Sequence, residues 1–257
     1  HVVADEIYAG SVFRQGGDTG EPPWVGMGAV AARRGVPLGP NVHLVWALSK
    51  DFALSGLRVG AVYTENEAIR TPLHKLNDLC QVGSGTQVAV AHLLSDGRRA
   101  GDLTSATPEG VGTELWAAAY ERINCRRLAD RYERLTAVLD AAGVPYLNAG
   151  AGLFLWIDLR RMLGPEAAAP VLDDADKSNR VGVAESLLPE AHAEAERALY
   201  LRLINDFGLL LTPGASMRTE EPGFFRCVFS ATPDQGFEVA LERFGRMGEA
   251  YKAEAAP

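Results

Sequence analysis

Hydrophobic and polar positions form a repeating pattern in the first third of the chain. Two short apolar runs, Leu44–Leu48 and Val59–Tyr63, flank a polar stretch, Ser49–Leu57. Short runs that are rich in Val and aromatic residues and bounded by Gly or polar residues are typical of buried strands. The pattern therefore predicts two strands joined by a loop at Ser49–Leu57, and we expect this segment to carry the chemistry of the protein.

The rest of the chain alternates between helical and strand patterns. Apolar residues at helical spacing predict a long amphipathic helix over Thr113–Ala142, which Gly143 ends. These patterns favour an α/β protein in which a smaller α/β domain follows the long helix. The other predicted elements are helices at Val25–Arg34, from Thr64–Ile69 onward, at Thr86–Leu94, at Glu194–Phe207 and at Asp234–Tyr251, and strands at Val144–Leu147, Leu153–Leu159, Leu209–Thr212 and Phe225–Ser230.

One cation lies in the predicted loop and another lies between that loop and the strand that follows it. Lys50 lies between two buried strands, where partial removal from water favours the neutral amine that acts as a nucleophile or base. Arg58 follows Gly56 and precedes Gly60, so tight backbone would place its guanidinium for a bidentate contact with phosphate. From these two residues alone, a phosphate site and a pair of solvated or ion-paired surface cations both remain open.

A second motif changes this picture. The apolar strand at the start of the chain ends in D-E-x-Y, from Asp5 to Tyr8, and Lys50 and Arg58 belong to the pattern S-K-(x)7-R-x-G. Together these motifs resemble the fold-type-I pyridoxal-phosphate enzymes of the class I and II aminotransferase family. The chain is most similar to the aminocyclopropane-carboxylate (ACC) synthase-like members, through DEIYAGSVF, LSKDFALSGLRVGAVY, NAGAGLFLWIDLRRML and LTPGASMRTEEPGFFRCVF.

This resemblance implies a fold and an assembly. The fold would be that of the aspartate aminotransferase-like, pyridoxal-phosphate-dependent transferases. Residues 1–112 would form the C-terminal part of the cofactor-binding large domain, 113–143 the connecting helix and 144–257 the small C-terminal domain. Family members carry a longer N-terminal portion, so we expect the missing part on a precursor or a second chain, and a homodimer as the assembly.

The resemblance also implies the roles of five residues. Lys50 would form a Schiff base with pyridoxal 5'-phosphate and later move the proton at the substrate α-carbon. Asp5 would pair with the ring nitrogen of the cofactor, Tyr8 would bond its ring hydroxyl oxygen, and Arg58 would bind its phosphate. Arg226 would hold the α-carboxylate of an amino-acid substrate.

Some of these positions also have simpler interpretations. Without the resemblance, Asp5 would cap a turn at a strand end, and Arg226 would pair with an acidic residue of the core. Glu6 should point to the opposite face of the sheet from Asp5, and we expect it to be structural. Ala47 departs from the family pattern, because many relatives have a serine there as a second phosphate ligand.

Three functions follow from the resemblance. The first is a pyridoxal-phosphate-dependent enzyme that acts on an α-amino acid, as an aminotransferase or an ACC synthase-like enzyme. The second is a carbon–sulfur lyase that uses the same cofactor on a thio or sulfonium amino acid. The third is a non-catalytic fragment of the family that serves as a scaffold.

Composition limits the remaining classes. A formal net charge of −8 argues against nucleic acid or an anionic membrane as a partner, and no apolar run approaches the roughly 18 residues of a membrane helix. Cys80, Cys125 and Cys227 are odd in number and widely spaced, which favours reduced thiols and a cytoplasmic protein. The five histidines have no spacing suited to a metal site, so no metal is expected.

Overall fold

The computed structural model describes residues 1–14, 24–95, 115–164 and 190–254. These residues form two compact units. The first unit contains the described residues of His1–Ala129 together with Ala149–Gly152. The second contains those of Asp130–Asn148 and those from Leu153 onward.

The sheet of the first unit has three strands in the order β1-β2-β3, namely Val2–Asp5, Val42–Ala47 and Gly60–Thr64. Strand β1 is parallel to β2, and Asp5 lies beside Val45. Strand β3 is antiparallel to β2. The carboxyl ends of β1 and β2 therefore lie at the same edge of the sheet as the amino end of β3.

Helices flank these strands in the sequence. They are α1 (Met27–Arg33), α2 (Leu48–Asp51), α3 (Glu67–Cys80), α4 (Ser84–Leu94) and α5 (Trp116–Ala142), which begins in this unit. The Asn66 side chain caps α3 by accepting a hydrogen bond from the backbone N–H of Ala68 at 2.9 Å. Helix α5 confirms the predicted long helix over Thr113–Ala142, although residues 113 and 114 lie outside the described residues.

Helix α2 differs from the prediction, which assigned Leu48 to a strand and Lys50 to a loop. The strand ends at Ala47, and the next four residues form one helical turn. The backbone carbonyl of Leu48 accepts hydrogen bonds from the N–H groups of Phe52 at 3.3 Å and Leu54 at 3.2 Å. A buried leucine suits either kind of element, and this turn is too short to show a helical period.

The second unit contains a four-stranded antiparallel sheet in the order β4-β5-β7-β6. Its core follows the strand period of two, because Leu155, Ile157, Phe225 and Cys227 are buried while their neighbours are not. The strands are β4 (Tyr146–Leu147), β5 (Phe154–Asp158), β6 (Thr212–Pro213) and β7 (Phe224–Val228), and the helices are α6 (Glu190–Asn205), α7 (Asp234–Ala253) and the end of α5.

Large apolar side chains remain exposed in the first unit. Neither α3 nor α4 contains a buried residue, and Leu79 is 82% exposed. Val62 and Tyr63 of strand β3 are each about half exposed. Among the described residues, no helix combines the length and the apolar character needed to cross a membrane.

Candidate active site

Lys50 lies in helix α2, directly after the carboxyl end of the central strand β2. Its side chain is half-buried. In the part of the chain that the structure describes, its ammonium group has no hydrogen-bond or ion-pair partner. Lys50 therefore lies at the sheet edge with an amine that no described residue binds. It lies on a helical turn instead of the predicted loop.

Asp5 ends strand β1 at the same edge. Its carboxylate is exposed and accepts a hydrogen bond from the backbone N–H of Ile7 at 3.2 Å. Tyr8 follows in the turn that leads to a short 3-10 helix, Ala9–Ser11, and its ring is half-buried beside Gly152. A β-carbon at Gly152 would lie 3.8 Å from Cδ1 of Tyr8, so this glycine allows close approach of the backbone to the ring.

Glu6, between them, has a different environment. Its Oε1 accepts a hydrogen bond from the backbone N–H of Met27 at 2.6 Å. Met27 is the first residue of α1, whose N-terminal N–H groups have no partners within the helix. This contact agrees with the expectation that Glu6 is structural.

Arg58 precedes β3 by two residues and has a left-handed backbone, with φ 54° and ψ 41°. This conformation is uncommon for a residue with a side chain, and it persists where the surrounding structure imposes it. The guanidinium is exposed, and its Nη1 donates a hydrogen bond to the carbonyl of Ser55 at 2.8 Å. Arg58 forms no ion pair with any described residue, so most of its donors remain available.

The parallel pairing of β1 and β2 explains how the first unit brings these residues to one edge. Asp5 and Lys50 follow the carboxyl ends of neighbouring parallel strands, and Arg58 lies just before the antiparallel strand that begins beside Ala47. Sequence separation hides this arrangement, because 44 residues lie between Asp5 and Lys50. The result is a carboxylate and two cations at one edge, with none of them ion-paired to another described side chain.

Sequence reasoning missed Asp51. Its side chain is only 3% exposed. Its Oδ2 accepts hydrogen bonds from the backbone N–H of Gly10 at 2.9 Å and from the indole of Trp46 at 2.7 Å, and its Oδ1 accepts one from the Ser11 hydroxyl at 2.6 Å. The available signal was a carboxylate three residues after Leu48, the end of a predicted buried strand. A carboxylate buried at such a position needs hydrogen-bond donors as partners.

A cleft of about 250 Å³ adjoins Asp51. Burial raises the pKa of Glu121 in its wall, and the Asp51 carboxylate raises it further. Burial, with Glu121 and Asp51 adding negative charge, raises the pKa of Cys125 to about 11. No three metal-binding side chains cluster within the described residues. The cleft is lined by Ala9, Gly10, Trp46, Asp51, Phe52 and Glu121.

Arg226 belongs to strand β7 of the second unit. Its Nε is buried and has no hydrogen-bond partner among the described residues. Its Nη1 lies 3.6 Å from the sulfur of Met217, a weak acceptor, and its guanidinium carbon lies 5.5 Å from the ring centre of Phe154. A buried donor without a partner is costly, so this site suits an anionic ligand.

The family model for class I and II aminotransferases matches residues 1–244. The chain belongs to this family. Its members are pyridoxal-phosphate-dependent enzymes. The 1-aminocyclopropane-1-carboxylate synthase 11 of Arabidopsis thaliana is 33% identical over 243 residues, which cover 95% of this chain and 42% of the relative. The 1-aminocyclopropane-1-carboxylate synthase 4 of Oryza sativa subsp. japonica is 34% identical over 258 residues, which cover 98% of this chain and 45% of the relative. The chain thus spans less than half the length of these curated relatives.

Solved structures show the fold. LysN, an α-aminoadipate aminotransferase of Thermus thermophilus in complex with N-(5'-phosphopyridoxyl)-L-leucine, matches with a TM-score of 0.62 at 17% identity. The match covers 98% of this chain and 51% of LysN. A double mutant of Thermus thermophilus aspartate aminotransferase matches with a TM-score of 0.63 at 18% identity, with 96% and 48% covered. The predicted aspartate aminotransferase-like fold is therefore confirmed.

Proposed function

We propose that this chain is part of a pyridoxal-phosphate-dependent enzyme that acts on an α-amino acid, as an aminotransferase or an ACC synthase-like enzyme. The observation that carries this proposal is the placement of Asp5, Lys50 and Arg58 at one sheet edge, with none of the three ion-paired among the described residues. Membership in the class I and II aminotransferase family supports it independently.

The residues at this edge fit the chemical groups of pyridoxal 5'-phosphate. The exposed Arg58 guanidinium has free donors for the phosphate, and the exposed Asp5 carboxylate can accept a hydrogen bond from a protonated ring nitrogen. Tyr8 would contact the ring hydroxyl oxygen, and the amine of Lys50 would bond to the aldehyde carbon. When bound, the cofactor supplies an electron sink for negative charge at the substrate α-carbon.

Three protein side chains would then have different roles toward the substrate and the cofactor. Lys50, as a free amine, would take the proton from the α-carbon and return it, because no described residue occupies its nitrogen. Asp5 would hold the ring nitrogen in its protonated form. Arg226 would bind the α-carboxylate through the donors that have no strong acceptor among the described residues.

Two outcomes of proton removal remain as candidates. ACC synthases are among the curated relatives at 33 to 34% identity, which supports an ACC synthase-like reaction or a related carbon–sulfur lyase acting on a thio or sulfonium amino acid. Aminotransferases are among the similar solved structures, which keeps amino transfer open. A non-catalytic scaffold is disfavoured, because Asp5, Lys50 and Arg58 are all present and available to a ligand: none of them forms an ion pair with a described residue.

The proposed assembly is a homodimer in which a precursor or a second chain supplies the remaining part of the family's fold. Exposed apolar residues on β3, α3 and α4 support this assembly, as does the share of the relatives that the chain spans. We also propose a cytoplasmic location, since Cys80, Cys125 and Cys227 are all free thiols.

Borohydride trapping tests the proposed cofactor site. The chain, together with the remainder of the fold, is incubated with pyridoxal phosphate, reduced and mapped by mass spectrometry. The pyridoxyl group is expected on Lys50 and should be lost in Lys50→Ala. Lys75→Ala removes an exposed lysine of α3 and should leave the labelling unchanged. Pyridoxyl on Lys75, or on no lysine, would contradict the proposal.

Product analysis then separates the reactions. Exchange of the substrate α-proton in deuterated solvent is expected in every catalytic case, because it reports the proton transfer by Lys50. Release of a sulfur product from S-adenosylmethionine or a thioether amino acid, without an added keto acid, identifies the lyase reactions. A requirement for a keto acid identifies amino transfer, and cofactor binding without exchange identifies the scaffold.

A further inference from the structure

A single buried carboxylate connects two of the segments that form the proposed cofactor site. Asp51 follows Lys50 directly, in the last position of α2. Its three hydrogen bonds reach Gly10 and Ser11, which lie just after Tyr8, and Trp46, which lies in strand β2. The turn after Tyr8 and the helical turn that carries Lys50 are therefore held together at Asp51.

The same contacts leave Lys50 without a partner in the described structure. The nearest carboxylate in the sequence is Asp51, and both of its oxygens already accept hydrogen bonds at 2.6 to 2.9 Å. If the Asp51 carboxylate turned to pair with Lys50, the donors of Gly10, Ser11 and Trp46 would lose their acceptor. This loss would be costly, because the carboxylate is buried. The network thus keeps the carboxylate in place and the amine available.

We propose that Asp51 is a positioning residue for Lys50. This inference rests on the proposed function, because Asp51 would hold Lys50 at a fixed position relative to the segment that carries Tyr8, and both residues belong to the proposed cofactor site. Asp51 would not contact the cofactor, and it would act through the hydrogen bonds of its two oxygens. A misplacement on the scale of an ångström is enough to cost a large factor in reactions that depend on alignment.

Helix α2 has a second attachment, which makes the proposal testable. The ring of Phe52, the next residue, stacks on Trp116 and Tyr120 of α5 with ring centres 6.1 and 5.4 Å apart. This contact does not involve Asp51. Removing the Asp51 side chain should therefore loosen the turn that carries Lys50 while Phe52 keeps the segment attached.

Two substitutions separate the hydrogen bonds from the charge. Asp51→Asn can place its carbonyl oxygen at the position of Oδ2, where it accepts from Gly10 and Trp46, and its amide toward the Ser11 hydroxyl, which can also accept. Asp51→Ala removes all three hydrogen bonds. If Asp51 acts by positioning, asparagine should rescue what alanine loses.

The control is Glu196→Ala in the second unit. Glu196 is 1% exposed and accepts hydrogen bonds from the backbone N–H groups of Ala215 and Gly223, both at 2.8 Å. It is thus another buried carboxylate whose loss destabilises its own surroundings. Its hydrogen bonds are made within the second unit, so its loss is expected to leave the environment of Lys50 unchanged.

The first measurement needs no cofactor. An amine-reactive reagent in limiting amount labels the folded chain, and mass spectrometry gives the ratio of Lys50 to the exposed Lys75. Asp51→Ala should raise this ratio about threefold or more, because Lys50 is no longer held half-buried, while Asp51→Asn and Glu196→Ala should leave it near the wild-type value. Trp46→Phe removes the indole donor to Asp51 and should give a labelling ratio between those of the wild type and Asp51→Ala. This variant replaces Asp51→Ala in the test if the alanine variant fails to fold.

The second measurement titrates pyridoxal phosphate into the assembled protein and follows the visible absorbance of the bound cofactor. Asp51→Ala should weaken binding about tenfold or more, and Asp51→Asn by less than about threefold. Equal losses in the two variants would overturn positioning through hydrogen bonds, as would an unchanged labelling ratio in Asp51→Ala. A wild-type protein that binds no cofactor would contradict the proposed function instead, while the labelling ratio still reports the position of Lys50.

Discussion

At the residue scale, the phosphate end of the proposed site depends on Arg58. The family pattern that the motifs resemble would have a serine at the position of Ala47, the last residue of β2, and this chain has no hydroxyl there. Ala47 is half-buried and lies beside Gly60, whose lack of a β-carbon leaves open the face of β3 next to it. A hydroxyl at position 47 would add one hydrogen-bond donor at this end of the proposed site.

Ala47→Ser should therefore tighten cofactor binding. One hydrogen bond to a charged group contributes about 1.5–3 kcal/mol, so the Kd for pyridoxal phosphate should fall roughly tenfold or more. Ala61→Ser, which adds a hydroxyl to an exposed position of β3, is the control and should leave the Kd unchanged. Titration with the cofactor measures both, and unchanged or weaker binding in Ala47→Ser would show that Ala47 does not face the phosphate.

The three thiols should differ in reactivity for a physical reason. Burial, with Glu121 and Asp51, raises the pKa of Cys125 to about 11, and burial raises the pKa of Cys227 to about 12. A raised pKa keeps the thiol protonated, so at pH 8 roughly one in a thousand Cys125 side chains would be the reactive thiolate. Cys80 is exposed on α3.

Iodoacetamide at pH 8 should accordingly alkylate Cys80 first in the folded chain, and the rate at Cys125 should rise as the pH approaches 11. Glu121→Gln removes one of the nearby negative charges and should speed the reaction at Cys125. Peptide mapping against reaction time provides the rates. Similar rates for all three cysteines should appear only in denaturant, and their appearance in the folded chain would contradict the assigned burial.

At the element scale, Arg58 combines its proposed role in phosphate binding with an unfavourable, left-handed backbone conformation. A left-handed conformation costs a residue with a side chain about 1–2 kcal/mol, whereas glycine adopts it freely. Arg58→Gly should thus give a chain about 1 kcal/mol more stable to unfolding than Arg58→Ala. Both variants lose the guanidinium and should lose cofactor affinity equally.

Denaturant unfolding of the two variants, with cofactor titration of each, checks this prediction. Using two substitutions at one position isolates the backbone effect, because the side-chain contact with Ser55 is lost in both. If the alanine variant is as stable as the glycine variant, the left-handed conformation of residue 58 is absent in solution.

The elements that the sequence predicts correctly are those whose period repeats. Helix α5 shows several turns of apolar spacing, and β5 and β7 alternate over five residues each, so their assignments hold to within a few residues. The predicted strand Leu209–Thr212 alternates too, with Leu209 and Leu211 buried, yet the strand itself is Thr212–Pro213. Alternation reports burial, whereas a strand also needs a hydrogen-bonded neighbour.

In the candidate site, too, local motifs could be predicted from the sequence and distant contacts could not. The motifs predict Asp5, Lys50 and Arg58 as site residues, because the spacing that marks them is local to two short segments. Asp51 could not be predicted as the connector, since its partners at Gly10 and Ser11 are about 40 residues away and become neighbours only when β1 pairs with β2. Contacts that depend on sheet order leave little trace in local patterns.

At the scale of the whole molecule, two helices of the first unit, α3 and α4, expose large apolar side chains and contain no buried residue. Leu76, Leu79 and Val88 of α3 and α4 are 56%, 82% and 70% exposed. Parallel sheets and their helices are normally covered on both faces in this class of fold. The chain spans 42% of the Arabidopsis relative, so the rest of that fold is available to cover this surface in the proposed assembly.

Leu79→Lys should therefore leave the stability of this chain almost unchanged, because the side chain contacts little within it. The same substitution should weaken association with the polypeptide that we propose supplies the rest of the fold, since it would bury a charge in that interface. Leu210→Lys is the matched control, because Leu210 is 77% exposed and belongs to the second unit.

Native mass spectrometry measures the association, and thermal unfolding of the isolated chain measures the stability. The expected result is a loss of the complex, or at least a tenfold weaker one, for Leu79→Lys and an unchanged complex for Leu210→Lys. Equal association of both variants would place the interface elsewhere than on α3. A large loss of stability in the isolated Leu79→Lys chain would instead mean that Leu79 is buried within this chain, and the exposed surface of α3 would no longer support a complementary polypeptide.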